Sequence, residues 1–126
     1  AFVSSQSNVA TEFSLARIYG VTGLLAHNSL GGKDFFKLNV GQTVQIVMGD
    51  GTLRAYRIES IASYQALEPN STTSDFLDLT SGQVLDAADI FSLYYMGGDH
   101  VTFQTCIARD GIGSWGRLFV IAVPVI

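Results

Sequence analysis

Apolar residues in this chain fall in short runs rich in Val, Ile, Leu and Phe, separated by Gly, Asp, Asn and Ser. β-Branched and aromatic side chains suit a pleated, half-buried surface, so five runs read as strands: 21–27, 43–48, 52–65, 99–107 and 116–123. Asp50-Gly51, between the second and third, is a hairpin signal, because Gly accepts the positive φ of a tight turn. Three other segments follow helical spacing. Leu15, Ile18 and Tyr19 recur at helical intervals within 10–19, with Thr11 as cap and Gly20 as stop. Residues 32–38 predict a helical turn carrying Phe35, Phe36 and Leu38 into the core. Residues 86–95 predict a helix opened by Asp86 and closed by Gly97-Gly98. Between these lie a loop-rich stretch at 66–82, with Pro69, Asn70 and a Ser/Thr cluster, and a flexible Gly-rich connection at 110–114. Residues 1–9 read as an extended lead-in, and no internal repeat or low-complexity segment is present.

The sum is a mostly β domain with two or three short helices. Strands this numerous and apolar in a short chain favour a closed barrel or a sandwich. A length of 126 residues suits one domain over 1–126. Hydrophobic residues at 48% against 14% charged predict a compact fold rather than a disordered chain. The formal net charge of -4, with seven scattered Lys and Arg, lacks the basic footprint of a nucleic-acid binder. No apolar stretch has the ~18 residues of a membrane span, and no signal peptide is visible. The chain opens on Ala, as a trimmed or processed chain does, so any leader or anchor is expected outside it. Low lysine content and many Ser, Thr and Gly resemble an exported protein. Asn70-Ser71-Thr72 matches a glycosylation acceptor, a pattern that also arises often by chance.

Candidate chemistry centres on Cys106, the sole cysteine, near the end of the Val101–Ile107 run. Alone, it forms no internal disulfide. Arg117 opens the next strand, and His27 ends a much earlier one. A lone Cys with a distant His and a nearby Arg is a candidate nucleophilic site assembled by the fold. Each residue also has a plainer reading: a small inert core thiol, a histidine at a strand end, a surface arginine paired with an acid. His100 competes with His27, but six residues of extended strand put it ~20 Å from the thiol. Arg109 competes with Arg117 and is placed in the loop. The two His and one Cys are too widely spaced for a metal site. No phosphate-binding Gly-rich loop occurs, so no cofactor is expected.

In order along the chain, Ala26-His27-Asn28, a Phe-x-x-Leu turn from Phe35 to Leu38, Gly41-Gln42-Thr43-Val44, Gly49-Asp50-Gly51 and Tyr56-Arg57-Ile58 lead into Thr102-Phe103-Gln104-Thr105-Cys106 and Gly116-Arg117-Leu118. This series resembles the sortase family over residues 21–123. Sortases carry Thr-Leu-x-Thr-Cys at the end of a barrel strand and an Arg opening the next; here Phe103 stands in place of the Leu. The chain departs from the family at 10–19, where a helix is predicted in place of an early strand.

The resemblance implies a closed, eight-stranded, sortase-like β-barrel and a cysteine transpeptidase. Such an enzyme cleaves a C-terminal sorting motif of a surface protein, holds the acyl part as a thioester and passes it to an amine on the cell wall or a pilin. It implies an extracellular or cell-surface location, with membrane contact only through an anchor absent from this chain. Cys106 is then the nucleophile, His27 the general acid and Arg117 the oxyanion stabiliser. Thr105 orients the site or merely builds the strand, and Asn28 positions His27 or merely turns the chain. Trp115, Tyr94 and Tyr95 line a peptide groove or pack in the core. Two other functions stay open: a hydrolase in which water replaces the amine, and a non-catalytic surface module or filament subunit.

Overall fold

The computed structural model describes residues 11–12, 20–25, 35–47, 51–71 and 73–125. They form strands β1 (Thr11–Glu12), β2 (Val21–Leu25), β3 (Thr43–Val47), β4 (Leu53–Ala66), β5 (Phe76–Asp78) and β6 (Val84–Leu85), then helix α1 (Ala87–Tyr95), then β7 (His100–Arg109) and β8 (Ile112–Pro124). A single 3-10 turn covers 35–37. Among the described residues, the predicted two or three helices are one α-helix and this turn. All eight strands belong to one sheet, ordered β1-β2-β7-β8-β4-β5-β6, with β3 alongside β4. β2 runs parallel to β7; the other ladders are antiparallel. Among the described residues no ladder joins β1 to β6, so the barrel closure expected from sequence is not among these pairings.

The central strands are buried on both faces. On one face Val101 and Phe103 of β7 and Leu118, Val120 and Ala122 of β8 pack with Tyr56, Ile58 and Phe35. On the other, Phe119 of β8 packs with Val21, Tyr64 and Phe76 beneath Ile90, Tyr94 and Tyr95 of α1. Two-sided burial explains why 118–120 is a continuous apolar run rather than an alternating one: Leu118, Phe119 and Val120 are all buried.

α1 begins as its sequence predicts. Asp86 is the N-cap, accepting from the Asp89 backbone N–H at 2.7 Å, and the Asp89 carboxylate returns a longer contact to Asp86 N. At its end, Gly97 and Gly98 adopt φ of 99° and 97°, a region that favours glycine. The last turn is fastened to the sheet: His100 Nε2–H (2.9 Å) and the Thr102 hydroxyl both donate to the Tyr94 carbonyl. Helix-terminal carbonyls lack an intrahelical partner, so β7 satisfies one and fixes where α1 lies.

Four expectations are corrected. Thr11–Glu12, placed in a helix by the spacing of 10–19, is extended and pairs with Leu24–Leu25; residues 13–19 lie outside the described residues. Backbone pairing along β2 prevails there over a weak local period. Phe36 is 49% exposed, although Phe35 is buried. With three residues per turn in a 3-10 turn, Phe35 and Leu38 share one side and Phe36 points away. The loop-rich 66–82 contains β5. The 110–114 connection is shorter than expected: Arg109 pairs with Ile112 across a two-residue turn at Asp110-Gly111, whose φ values of 54° and 77° suit a right-twisted hairpin. Arg109 thus ends β7 rather than lying in a loop. The β3–β4 hairpin forms as expected, with Val47 opposite Leu53; Asp50 lies outside the described residues.

Candidate active site

β7 and β8 bring two of the three proposed catalytic residues side by side. Cys106 and Arg117 are direct cross-strand partners, and such partners hold their Cβ atoms about 4.5–5.5 Å apart. Both are partly exposed, and Cys106 is a free thiol. Strand alternation places Cys106 on the face that carries His100, Thr102 and Gln104, the face covered by α1. On its far side Arg117 is opposite Tyr64 of β4. Its Nη1 donates to the carbonyls of Ser114 (2.9 Å) and Gly116 (3.0 Å), and its guanidinium lies 5.9 Å from the Phe76 ring centroid. Among the described residues no carboxylate pairs with the Arg117 guanidinium, which these contacts hold in place.

His27 and Asn28 lie outside the described residues. The chain leading to them is placed, however: Leu25, two residues before His27, is opposite Gln104, two residues before Cys106. Because β2 and β7 are parallel, the two strands run in the same direction up to Leu25 and Gln104. His100 sits at the opposite end of β7, opposite Val21, with Nε2–H held by the Tyr94 carbonyl.

Thr105 is buried and, by alternation, points to the face opposite Cys106. Trp115 lies two residues before Arg117, with the Arg109 guanidinium 4.2 Å from its ring centroid. The two tyrosines take different places. Tyr94 stacks on Phe119 (4.2 Å, 11°) and shares a 2.5 Å hydroxyl contact with Tyr64, a core role. Tyr95 lines a cleft and donates its hydroxyl to Gln104 Oε1.

That cleft, about 270 Å³, lies between α1 and the sheet. Ile90 and Phe91 of α1, Phe76 of β5 and Phe119 of β8 wall it; Ser71, Tyr95, Gln104 and Arg117 supply the polar groups. It is smaller than most small-molecule pockets and borders Arg117, the cross-strand neighbour of Cys106, while Cys106 itself is not among its lining residues. Sequence reasoning missed Gln104, Phe76, Ile90 and Phe91 as lining residues. The one available signal was Gln104 itself, a polar residue inside an apolar strand.

Burial holds the Tyr94 and Tyr95 hydroxyls protonated well above the usual tyrosine range; for Tyr94 the bond to Tyr64 adds to the effect. A raised folded-state pKa means stability present in full below about pH 10, the unfolded value, and lost as pH rises above it. In an alkaline titration these two should therefore ionise together with loss of near-UV dichroism. Full tyrosinate absorbance at intact dichroism would contradict their packing.

No family model and no curated protein matches the sequence. Solved structures do match. Sortase C1 from Streptococcus agalactiae is 22% identical with a TM-score of 0.51, over 94% of this chain and 48% of that one. Sortase A from Corynebacterium diphtheriae gives 16% and 0.55, over 84% of this chain and 40% of that one. Clostridium perfringens sortase C, solved with the C-terminal cell wall sorting motif, gives 21% and 0.50, over 93% of this chain and 50% of that one. The chain therefore has a sortase-like fold and is mostly β. It spans about half the length, or less, of the solved structures it matches.

Proposed function

We propose that this chain carries the catalytic core of a bacterial cell-surface cysteine transpeptidase. Its substrate is a peptide bond in a C-terminal sorting motif, and its acceptor is an amine of the cell wall or of a pilin subunit. The observation that carries the reading is the cross-strand placement of Cys106 against Arg117, next to an open cleft. A thiolate attacks a carbonyl far better than a thiol, and a fixed guanidinium supplies donors to the oxyanion that develops.

The Cys106 thiolate adds to the scissile carbonyl, forming a C–S bond while Arg117 faces the negative oxygen. His27 gives a proton to the leaving nitrogen as the C–N bond breaks, leaving a thioester. The acceptor amine then attacks the thioester carbon and loses a proton to His27. A new C–N bond forms, the C–S bond breaks and the thiolate returns. Water in place of the amine gives hydrolysis as a side reaction.

The test incubates the protein with a peptide library, with and without a candidate amine, and reads protein and products by mass spectrometry. The expected result is an acyl adduct on Cys106 that the amine converts to a new amide. A thiol that resists methanethiosulfonate in the folded protein, with no adduct from any peptide, would leave only the non-catalytic module.

A further inference from the structure

We propose that the Gln104 side-chain amide, held by Tyr95, makes the cleft select a peptide residue of the carboxylate or carboxamide class over an aliphatic one. The inference rests on the peptide-transfer reading and adds the recognition element to it.

Gln104 lies two residues before Cys106 on the same face of β7, about 7 Å along the strand. Its Oε1 accepts from the hydroxyl of Tyr95, a residue only 3% exposed. That bond fixes the plane of the amide and leaves the Nε2 group as the part not used within the chain. Among the described residues Nε2 has no hydrogen-bond partner, and it is not sealed in the core. It is a positioned donor at a cleft.

The surroundings decide what it would take. Phe76, Ile90, Phe91 and Phe119 offer no polar atom. Among the described residues the charged one lining the cleft is Arg117, another donor, and none is a carboxylate. An aliphatic side chain entering here would remove water from Nε2 and return no acceptor. A side-chain carbonyl or carboxylate oxygen returns one, and the phenyl walls cover its methylene. A site built to hydrogen-bond its ligand discriminates strongly against analogues that lack the group.

Binding by the Cys106→Ala protein tests this separately from turnover. The best binder from a peptide library is remade with Leu, Asn, Asp or Lys at each position in turn. At one position Asn or Asp should bind about tenfold tighter than Leu, the scale of one hydrogen bond. Gln104→Leu in that background should invert the ratio. Tyr95→Phe keeps the ring but frees the amide, and should lower the ratio several-fold. Gln104→Glu still accepts from Tyr95 but presents a carboxylate, and should shift preference from Asp to Lys. These preference changes are not what a purely structural role would produce. An Asn-to-Leu ratio unmoved by Gln104→Leu and by Tyr95→Phe overturns the proposal, as does a protein that binds no peptide. Selective binding with no acyl adduct on Cys106 in the unmodified protein would instead overturn the transfer reaction and leave the recognition intact.

Discussion

Cys106→Ala should lower amide cleavage and transfer by roughly 10⁴-fold or more, the scale seen when a covalent nucleophile is removed. Folding should be nearly untouched. The thiol is only partly buried, and a partly exposed substitution of this kind usually changes stability by less than about 1 kcal/mol. Arg117→Lys gives the contrasting result. It keeps the charge but loses the planar fork that reaches the Ser114 and Gly116 carbonyls. Its kcat should fall about 10²–10³-fold, the usual loss when an oxyanion donor is removed, while the thioester still forms slowly. The pair is checked by kcat and KM together with denaturant midpoints. Residual turnover in Cys106→Ala close to that of the unmodified protein would remove the thiol from the mechanism.

A second large effect is expected one residue from the arginine. Gly116 sits between β7 and β4, opposite Ile107 on one side and Gln65 on the other. A Cβ there would lie 2.3 Å from the Tyr64 carbonyl oxygen and 3.4 Å from Ile107 Cβ. A backbone oxygen cannot swing aside as a side chain can, so β8 or β4 must shift. Overpacking of this kind costs about 1–3 kcal/mol, and a backbone clash places Gly116→Ala at the upper end. The shift would also displace Arg117, so kcat should fall together with stability. Gly113→Ala is the control: nothing lies within 4 Å of its would-be Cβ, and its urea midpoint should stay unchanged or rise slightly. Equal stabilities for the two variants would show that β4 and β8 are farther apart than described.

Much of the frame was legible because its strands are long and apolar. β4, β7 and β8 announce themselves by β-branched and aromatic residues, and α1 by Asp86 before a periodic run. β5 and β6 were not legible. They are three and two residues long, too short for a period, and they form only because β4 offers β5 a free ladder. β1 was misread for a similar reason: Thr11 and Glu12 take their conformation from β2, not from their neighbours in sequence. At the site, the motif led to Cys106 and Arg117, but not to their places in the strands: β7 runs on past the thiol to Arg109, and β8 already begins at Ile112, so Arg117 lies inside its strand rather than opening it, because the tight turn at Asp110-Gly111 lets the ladder start earlier. Gln104 could not be assigned a role from sequence. Its meaning depends on the Tyr95 hydroxyl reaching it from α1, a contact that exists only once the helix has docked.

The two-residue turn at Asp110-Gly111 bears on how the molecule assembles. Cys106 and Arg117 are eleven positions apart in the chain, and the ladder between them closes without waiting for any distant segment. Isolated hairpins form in about 1–10 μs, whereas pairing across long separations carries a larger loop entropy and comes later. Thiol and guanidinium can therefore meet early on the folding route. The proposed acid is seventy-nine positions upstream of the thiol, and β2, which precedes it in the chain, is held by a parallel pairing with β7 that such entropy delays. On the proposed transpeptidase reading, thiol and guanidinium would therefore be paired before β2 docks on β7.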